Sequence, residues 1–411
     1  MSHVRSVLNK AKYKYLQFMR IYLDNSATTP VDPEVLEAML PYFHDQFGNP
    51  SSVHSWGQEG AKTILGARDQ VARFLGCKTE EVVFTSCATE ANNLALKGVI
   101  YSYREKTGKK GHLITSQIEH KAILKPAKSL EKQGYKVTYL SVNSEGIIKL
   151  PDLEKAITDD TVLCSIMYAN SETGAIEPIR EIGKIIKKIN RRRANKIIVH
   201  TDAAQAVQYL DCNVDRLHVD LITIAGHKVY APKGIGALYI RKGTPFKPLQ
   251  EGGSQEYGLR AGTENVPYIV AIAKALELVS DNKAKIHKKL TALRDRLILE
   301  ILKKIPESQL NGPKGDSRLP NNVNFSFPGA EGESIVLALD MQGIAVSTGS
   351  ACTSQDLKPS HVLTAMGLSP EVAHGSIRIT LSKYTTKEEI DQLIALLPDI
   401  VKRFRKMAPK M

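Results

Sequence analysis

The sequence predicts an α/β fold, a mostly parallel β-sheet covered by helices on both faces and joined to a smaller α+β unit. Three observations carry that expectation. Between Val82 and Ala225, short apolar stretches rich in β-branched residues alternate with helical stretches, the pattern of a parallel sheet. Beyond Gly262 the pattern changes, and a long Ala-, Leu-, Lys- and Glu-rich stretch leads into a second set of strands and helices. Several strands of the first set end in polar residues, at the rim where open α/β sheets bind ligands.

The elements follow in order. Ile21-Tyr22-Leu23-Asp24 is strand-like, and after a polar turn to Pro30, Asp32 can cap a helix with Pro33 at its first position, running towards Phe47. Gly48-Asn49-Pro50-Ser51-Ser52 breaks it, and a second amphipathic helix spans about Gln58 to Leu75. Strand Val82 to Thr85 leads to a helix beginning near Ala88, and His112 to Ser116 leads to one near His120; Val137 to Leu140 follows. Apolar continuity makes Val162 to Tyr168 a buried strand, followed by a helix from about Ile179 to Ile189. Strands Lys196 to Thr201 and Leu221 to Ala225 complete the run, and Gly236 to Ile240 is close enough to its predecessor to be an antiparallel addition. A helix from Val266 to Lys304 connects to strand Asn322 to Phe327, helix Gly332 to Met341 and strand Gly375 to Leu381. The last helix, Thr386 to about Phe404, opens with the capping-box pair Thr386 and Glu389.

At 411 residues the chain is long enough for two domains. Its 56 Lys and Arg against 43 Asp and Glu give a net charge of +13, spread without an RNA-binding motif, so direct nucleic-acid binding is not expected. Arg191-Arg192-Arg193 is the one dense cluster and reads as the end of a surface helix. No apolar run approaches the roughly 20 residues that cross a bilayer. Cys77, Cys87, Cys164, Cys212 and Cys352 are odd in number and form no CxxC pair, so neither a disulfide framework nor an intrinsic metal site is expected. A reducing compartment, the cytoplasm, follows. Residues 1–20 hold no acid and several Lys and Arg; with Met19 next to the first strand, they read as a basic disordered extension rather than a targeting segment.

The chemistry centres on Lys228. It ends the stretch Leu221-Ile222-Thr223-Ile224-Ala225-Gly226-His227-Lys228, at the rim of the sheet, where desolvation turns a lysine into a Schiff-base nucleophile. Thr85-Ser86-Cys87-Ala88-Thr89-Glu90 joins a strand to a helix start, so hydroxyls and backbone N–H groups can grip a phosphate there; helix capping by Ser86 or Thr89 is the plainer reading of the same residues. His120 opens the next helix, where an imidazole either stacks on a planar ring or serves structure alone. Asp202 ends an apolar strand, where an acid is costly without a cationic partner such as a pyridinium N–H. Gln205 stands about one helical turn further on. In the second unit, Cys352 sits among small polar residues, the setting of a reactive thiol. Arg378 lies inside strand-like Ser376-Ile377-Arg378-Ile379, suited either to a substrate carboxylate or to an internal salt bridge.

With these segments the chain resembles the cysteine desulfurases of iron–sulfur cluster assembly, within the class V aminotransferase family. The resemblance runs from Tyr22-Leu23-Asp24-Asn25-Ser26-Ala27-Thr28-Thr29 to Tyr384-Thr385-Thr386-Lys387-Glu388-Glu389-Ile390-Asp391. Its most specific parts are Ala225-Gly226-His227-Lys228, Arg260-Ala261-Gly262-Thr263-Glu264-Asn265 and Thr348-Gly349-Ser350-Ala351-Cys352-Thr353-Ser354. It implies a pyridoxal 5'-phosphate-dependent transferase of fold type I, aspartate aminotransferase-like, with a seven-stranded sheet. A large cofactor-binding domain would span 21–275, with 21–31 able to join the other unit, and a small domain 276–411 would carry the thiol.

By the same resemblance Lys228 carries the cofactor, Asp202 faces its ring nitrogen, Gln205 its ring hydroxyl, and His120 stacks on the ring and shares in proton transfer. Ala88, Thr89, Ala225, Gly226 and His227 surround the phosphate, and Thr263 reaches the phosphate of the partner in a homodimer. Asn170 and Arg378 hold L-cysteine, and Cys352 receives its sulfur as a persulfide while alanine leaves. The segment through Pro359-Ser360-His361-Val362-Leu363 resembles that of enzymes handing sulfur to other proteins, such as a cluster scaffold or a tRNA thiolation enzyme, and Cys352 could transiently ligate a cluster. Selenocysteine lyase and cysteine sulfinate desulfinase are the neighbouring activities; neither requires a thiol such as Cys352. Three positions depart from the family: Ala225 replaces a usual serine, Cys87 a usual glycine, and Ser382-Lys383 a common Gly-Arg.

Overall fold

The computed structural model describes residues 20–348 and 359–407. A short strand β1 (Ile21–Tyr22) precedes the main sheet, which contains β2 (Val82–Thr85), β3 (His112–Ser116), β4 (Lys136–Leu140), β5 (Thr161–Ser165), β6 (Ile198–Asp202), β7 (Leu221–Ala225) and β8 (Gly236–Ile240). Their spatial order is β2-β8-β7-β6-β5-β3-β4, and β8 alone runs antiparallel to its neighbours. Every residue of β5 to β8 is buried, which is why these strands read as continuous runs rather than alternating ones. One face packs against helices Ala88–Thr107 and Lys121–Lys132 through Val83, Leu94, Val99, Leu113 and Leu130. The other carries the larger core, with helices Ser55–Leu75, Ile179–Asn190 and Val266–Lys304.

The helix Val266–Lys304 has 39 residues, about 58 Å at 1.5 Å per residue. Its first half packs on helices Pro33–Met39 and Ser55–Leu75, its second half on β10 (Asn322–Ser326) and the last helix, Lys387–Met407. A second, antiparallel sheet joins β9 (Gln309–Leu310), β10 and β12 (Ser376–Thr380) in the order β12-β10-β9. β1 pairs in parallel with β11 (Ile344–Ala345), Asp24 bridges Thr380, and Ser347 bridges Arg378. Residues 21–24 are thereby fixed against the last quarter of the chain. No helix among the described residues is long and apolar enough to cross a membrane.

Several boundaries differ from expectation for identifiable reasons. The helix from Pro33 stops at Met39 and a separate turn, Pro41–His44, follows, because Pro41 has no N–H to continue the ladder. The next helix starts at Ser55, before Gln58, because His54 Nδ1 accepts from the Gly57 N–H at 3.3 Å, a cap that histidine seldom supplies. It ends at Gly76 with φ +66°, a left-handed position that suits glycine. Beyond Ser165 the backbone still bonds to β6, Ile166 N to His200 O and Tyr168 N to Asp202 O, but it leaves the ladder and delivers Asn170 to the rim. Helices Leu150–Ala156, Val214–Leu217, His361–Ala365 and Pro370–His374 were too short for periodicity to reveal.

Candidate active site

At the rim where β3, β5, β6 and β7 end, a cleft of about 390 Å³ opens. Each functional group reaches it from a separate junction. β7 ends at Ala225, and a tight turn over Gly226–Lys228 brings Lys228 to the cleft. Gly226 is not among the lining residues. A Cβ there would lie 2.6 Å from Ile235 Cγ2, so its bare Cα lets the turn close on the chain entering β8. Lys228 Nζ donates to the carbonyls of Ser26 and, at 2.7 Å, Ala27, which places the polar turn before Pro30 over the amine.

Asp202, the last residue of β6, is 6% exposed. Its Oδ1 accepts the Ala204 N–H at 2.9 Å and its Oδ2 accepts from Asn92 Nδ2 at 2.6 Å. These donors support a buried carboxylate, and each oxygen keeps a lone pair for a ligand N–H. Gln205 also lines the cleft and donates from Nε2 to the Ser26 carbonyl at 3.0 Å.

Helix Ala88–Thr107 points its N-terminus at the same space, with Ala88 and Thr89 in its first turn. Cys87 caps it, Sγ accepting the Glu90 N–H at 3.5 Å, with φ −173° and ψ 168°. That is extended backbone open to any residue, so losing the usual glycine leaves the turn intact. His227 Nδ1 lies 3.2 Å from Thr28 Oγ1, and burial, followed by the charges of Lys228 and Lys233, holds its pKa down to about 4. The ring is therefore neutral beside the helix terminus, where the dipole favours an anion.

His120 caps helix Lys121–Lys132, its Nδ1 accepting the Ala122 N–H at 3.1 Å. In the neutral ring this bond assigns the proton to Nε2. Glu119 lies fully buried at the cleft's edge, its Oε1 accepting from Ser116 Oγ and the Met167 N–H, each at 2.8 Å. Burial, with Asp202 and Glu177 nearby, pushes its carboxyl well above the usual range and favours the neutral acid.

Asn170 and Arg378 stand in the same lining. Asn170 Nδ2 donates to Ile118 O at 3.1 Å, and its Oδ1 accepts the N–H groups of Glu172 and Thr173 at 2.8 and 3.0 Å. Arg378 Nη2 meets Asp24 Oδ1 at 2.7 Å and Nη1 meets Ser171 O at 3.3 Å. This arginine thus makes an internal ion pair with Asp24 and also lines the cleft. Thr263 is exposed and outside the cleft, and Cys352 lies outside the described residues. Sequence reasoning passed over Ser26, Asn92 and Glu119 as site residues. Only Asn92 left a signal, an amide among apolar neighbours at Ala91, Leu94 and Ala95.

The donor set fits pyridoxal phosphate. An amine, a buried acid, an imidazole, and a helix N-terminus flanked by a hydroxyl and a neutral ring surround one cleft. Ser26 Oγ and Arg378 Nε, both buried, have no hydrogen-bond partner among the described residues and are available to a bound group. The Lys383 departure also has a place. Its Nζ pairs with Asp32 and stands 4.5 Å and 5.0 Å from the ring centroids of Tyr230 and Tyr384, so it works as a structural clamp.

Comparison with known proteins agrees with this geometry. The family model "Aminotransferase class-V" matches residues 21–393. Cysteine desulfurase IscS of Dictyoglomus turgidum is 51% identical over 389 residues, covering 95% of this chain and 96% of its own. A cysteine desulfurase of Nostoc sp. is 51% identical over 389 residues, covering 95% and 94%. Among solved structures, a NifS-like protein superposes with a TM-score of 0.87 at 40% identity, over 94% of this chain and all of its own. SspA in complex with cysteine superposes with a TM-score of 0.75 at 37% identity, over 89% and 100%.

Proposed function

We propose, for a chain that belongs to the class-V aminotransferase family and is a pyridoxal phosphate-dependent cysteine desulfurase, that the described cleft and Cys352 divide the reaction between them. Lys228 would hold the cofactor through Nζ, with Asp202 at its ring nitrogen, Gln205 at its ring hydroxyl and His120 over its face. Ala88, Thr89 and His227 would hold its phosphate, joined by Thr263 from the second copy of a homodimer. The cofactor, when bound, supplies a sink for the electron pair left at the substrate Cα.

The protein's own groups do the rest. Arg378 and Asn170 orient L-cysteine by its carboxylate, a bidentate task for which a guanidinium is suited. Lys228 Nζ takes the α-proton, and Nε2–H of His120 is placed to return a proton near the sulfur. The Cys352 thiolate attacks the substrate sulfur; an S–S bond forms as the C–S bond breaks, so L-cysteine and the thiol become L-alanine and a persulfide. The persulfide sulfur then passes to an acceptor thiol of a cluster scaffold or a tRNA thiolation enzyme, in the reducing cytoplasm.

One observation carries this reading. Lys228, Asp202, Gln205, His120, Asn170 and Arg378, contributed by separate junctions, line one cleft. Cofactor-loaded Cys352→Ser tests it: the visible absorbance should remain and alanine formation from L-cysteine should fall to background, whereas Lys228→Ala should lose both. Sustained turnover by Cys352→Ser would overturn the assignment. Light scattering tests the dimer, and pulldown with residues 349–358 deleted tests the acceptor.

A further inference from the structure

The turn Asn170–Thr173 does more than present Asn170. Its Ser171 carbonyl accepts from Arg378 Nη1 and, at 3.3 Å, from Asn322 Nδ2, and its Glu172 carbonyl accepts from Asn324 Nδ2 at 3.1 Å. Glu172 itself is 7% exposed, lines the cleft, and through Oε2 accepts the hydroxyl proton of Ser360, which is 3% exposed. Ser360 has one proton to give. The same Oγ accepts the N–H groups of Val362 and Leu363, each at 3.2 Å, and so caps helix His361–Ala365. The next residue, His361, donates from Nε2 to the Glu119 carbonyl at 3.0 Å, beside His120. Every remaining capacity of the Ser360 hydroxyl is spent on its helix, so among the described residues Glu172 alone ties that cap to the turn.

We propose that Glu172, acting through Ser360, is a positioning residue for the substrate side of the cleft: it fastens helix His361–Ala365 to the Asn170–Thr173 turn and thereby fixes the spacing of Asn170, Arg378 and His361. The proposal rests on the reading that Asn170 and Arg378 face the substrate. The joint is built from groups that are all buried, and it links three separate walls of one cleft; a surface contact would have neither property. Charge supports it as well. Burial raises the pKa of Glu172 to about 7, opposed by the Ser360 hydrogen bond and by the charges of Arg378 from β12 and of His120 and Lys121 from the helix opposite. The ionised form makes the stronger bond to the Ser360 hydroxyl.

The test uses cofactor-loaded enzyme. Glu172→Leu and Ser360→Ala should each raise KM for L-cysteine about ten-fold, with kcat within about two-fold and the visible absorbance unchanged. The double variant should be no worse than Ser360→Ala alone, which already loses the shared bond together with the helix cap. Glu172→Gln keeps an oxygen for the Ser360 proton and should stay within about three-fold of wild type. An unchanged KM in Glu172→Leu, or additive losses in the double variant, overturns the proposal. Arg378→Lys separates it from its premise. If that variant leaves KM unchanged, the substrate-side reading fails and takes this proposal with it; if KM rises there but not in Glu172→Leu, only this proposal fails. Should Glu172→Leu not fold, the decision passes to Ser360→Ala, which breaks the same bond from the other side, and an unchanged KM there overturns the proposal.

Discussion

Asn92 Nδ2 lies 2.6 Å from Asp202 Oδ2, so an amide in the second turn of helix Ala88–Thr107 supports the acid at the end of β6. Both residues are buried. A hydrogen bond to a buried charge is worth about 1.5–3 kcal/mol, and without it the Asp202 carboxylate would lose one of its two donors and hold a ring N–H less firmly. Asn92→Leu is therefore expected to weaken cofactor binding about ten- to hundred-fold. Equilibrium dialysis followed by visible absorbance measures this, and unchanged affinity would place the control of Asp202 elsewhere.

Glu177 gives a stability prediction. It is 2% exposed, its Oε2 accepts the Ile148 N–H at 3.1 Å, and burial pushes its pKa up to about 8. An unfolded glutamate titrates near 4.3. With the folded value raised, the folded chain keeps a proton that the unfolded chain has already released across this window. The associated stability is full below about pH 4.3 and is lost as pH rises towards about 8, a span on the order of several kcal/mol. Glu177→Gln removes this slope, so the melting temperature of the variant relative to wild type should rise by several degrees from about pH 5 to about pH 8. A constant difference would mean that Glu177 titrates normally.

Much of this architecture was legible in sequence because it is local. Val82–Thr85, His112–Ser116, Leu221–Ala225 and Gly236–Ile240 are bounded by turn residues and buried on both faces, so apolar continuity marks their ends. Val266–Lys304 is readable for a similar reason, as a sustained pattern between Asn265 and the β-branched Ile305 that ends it. Asp202 and Lys228 were legible because a charge after an apolar strand conflicts with burial unless something is bound. What escaped was long-range. Ser26 over Lys228, Asp24 on Arg378 and Ser360 on Glu172 are polar residues in turns or at strand ends, where local chemistry already explains them. Nothing in a hydroxyl's neighbours along the chain tells which distant carboxylate it will meet.

Asp32 illustrates the same limit and can be tested. As expected from sequence, it caps helix Pro33–Met39, its Oδ1 accepting the Glu34 N–H at 2.9 Å. Its Oδ2 also takes Tyr384 Oη–H at 2.7 Å and the ammonium of Lys383, partners that sequence did not reveal. Loss of a cap costs about 1 kcal/mol, and losing this partly buried ion pair with its Tyr384 hydrogen bond adds about 2 kcal/mol. Asp32→Ala should accordingly lower unfolding free energy by about 3 kcal/mol or more in urea titration. A loss near 1 kcal/mol would assign the residue to capping alone.

Ala225 offers a gain-of-function test. It ends β7, is 1% exposed, lines the cleft, and stands where the family resemblance implies a serine. The backbone there is ordinary extended chain, φ −112° and ψ 120°, which serine adopts without strain. An added hydroxyl would stand at the mouth of the Lys228 turn, close in sequence to the neutral His227, and could donate to a bound phosphate. A hydrogen bond to a charged acceptor is worth about 1.5–3 kcal/mol when well placed. Part of that is spent on desolvating the hydroxyl, so Ala225→Ser is expected to tighten cofactor binding about three- to ten-fold with kcat little changed. Slower loss of visible absorbance on dilution measures the gain. If affinity falls instead, the methyl of Ala225 is packing against the cleft wall and the phosphate lies beyond its reach.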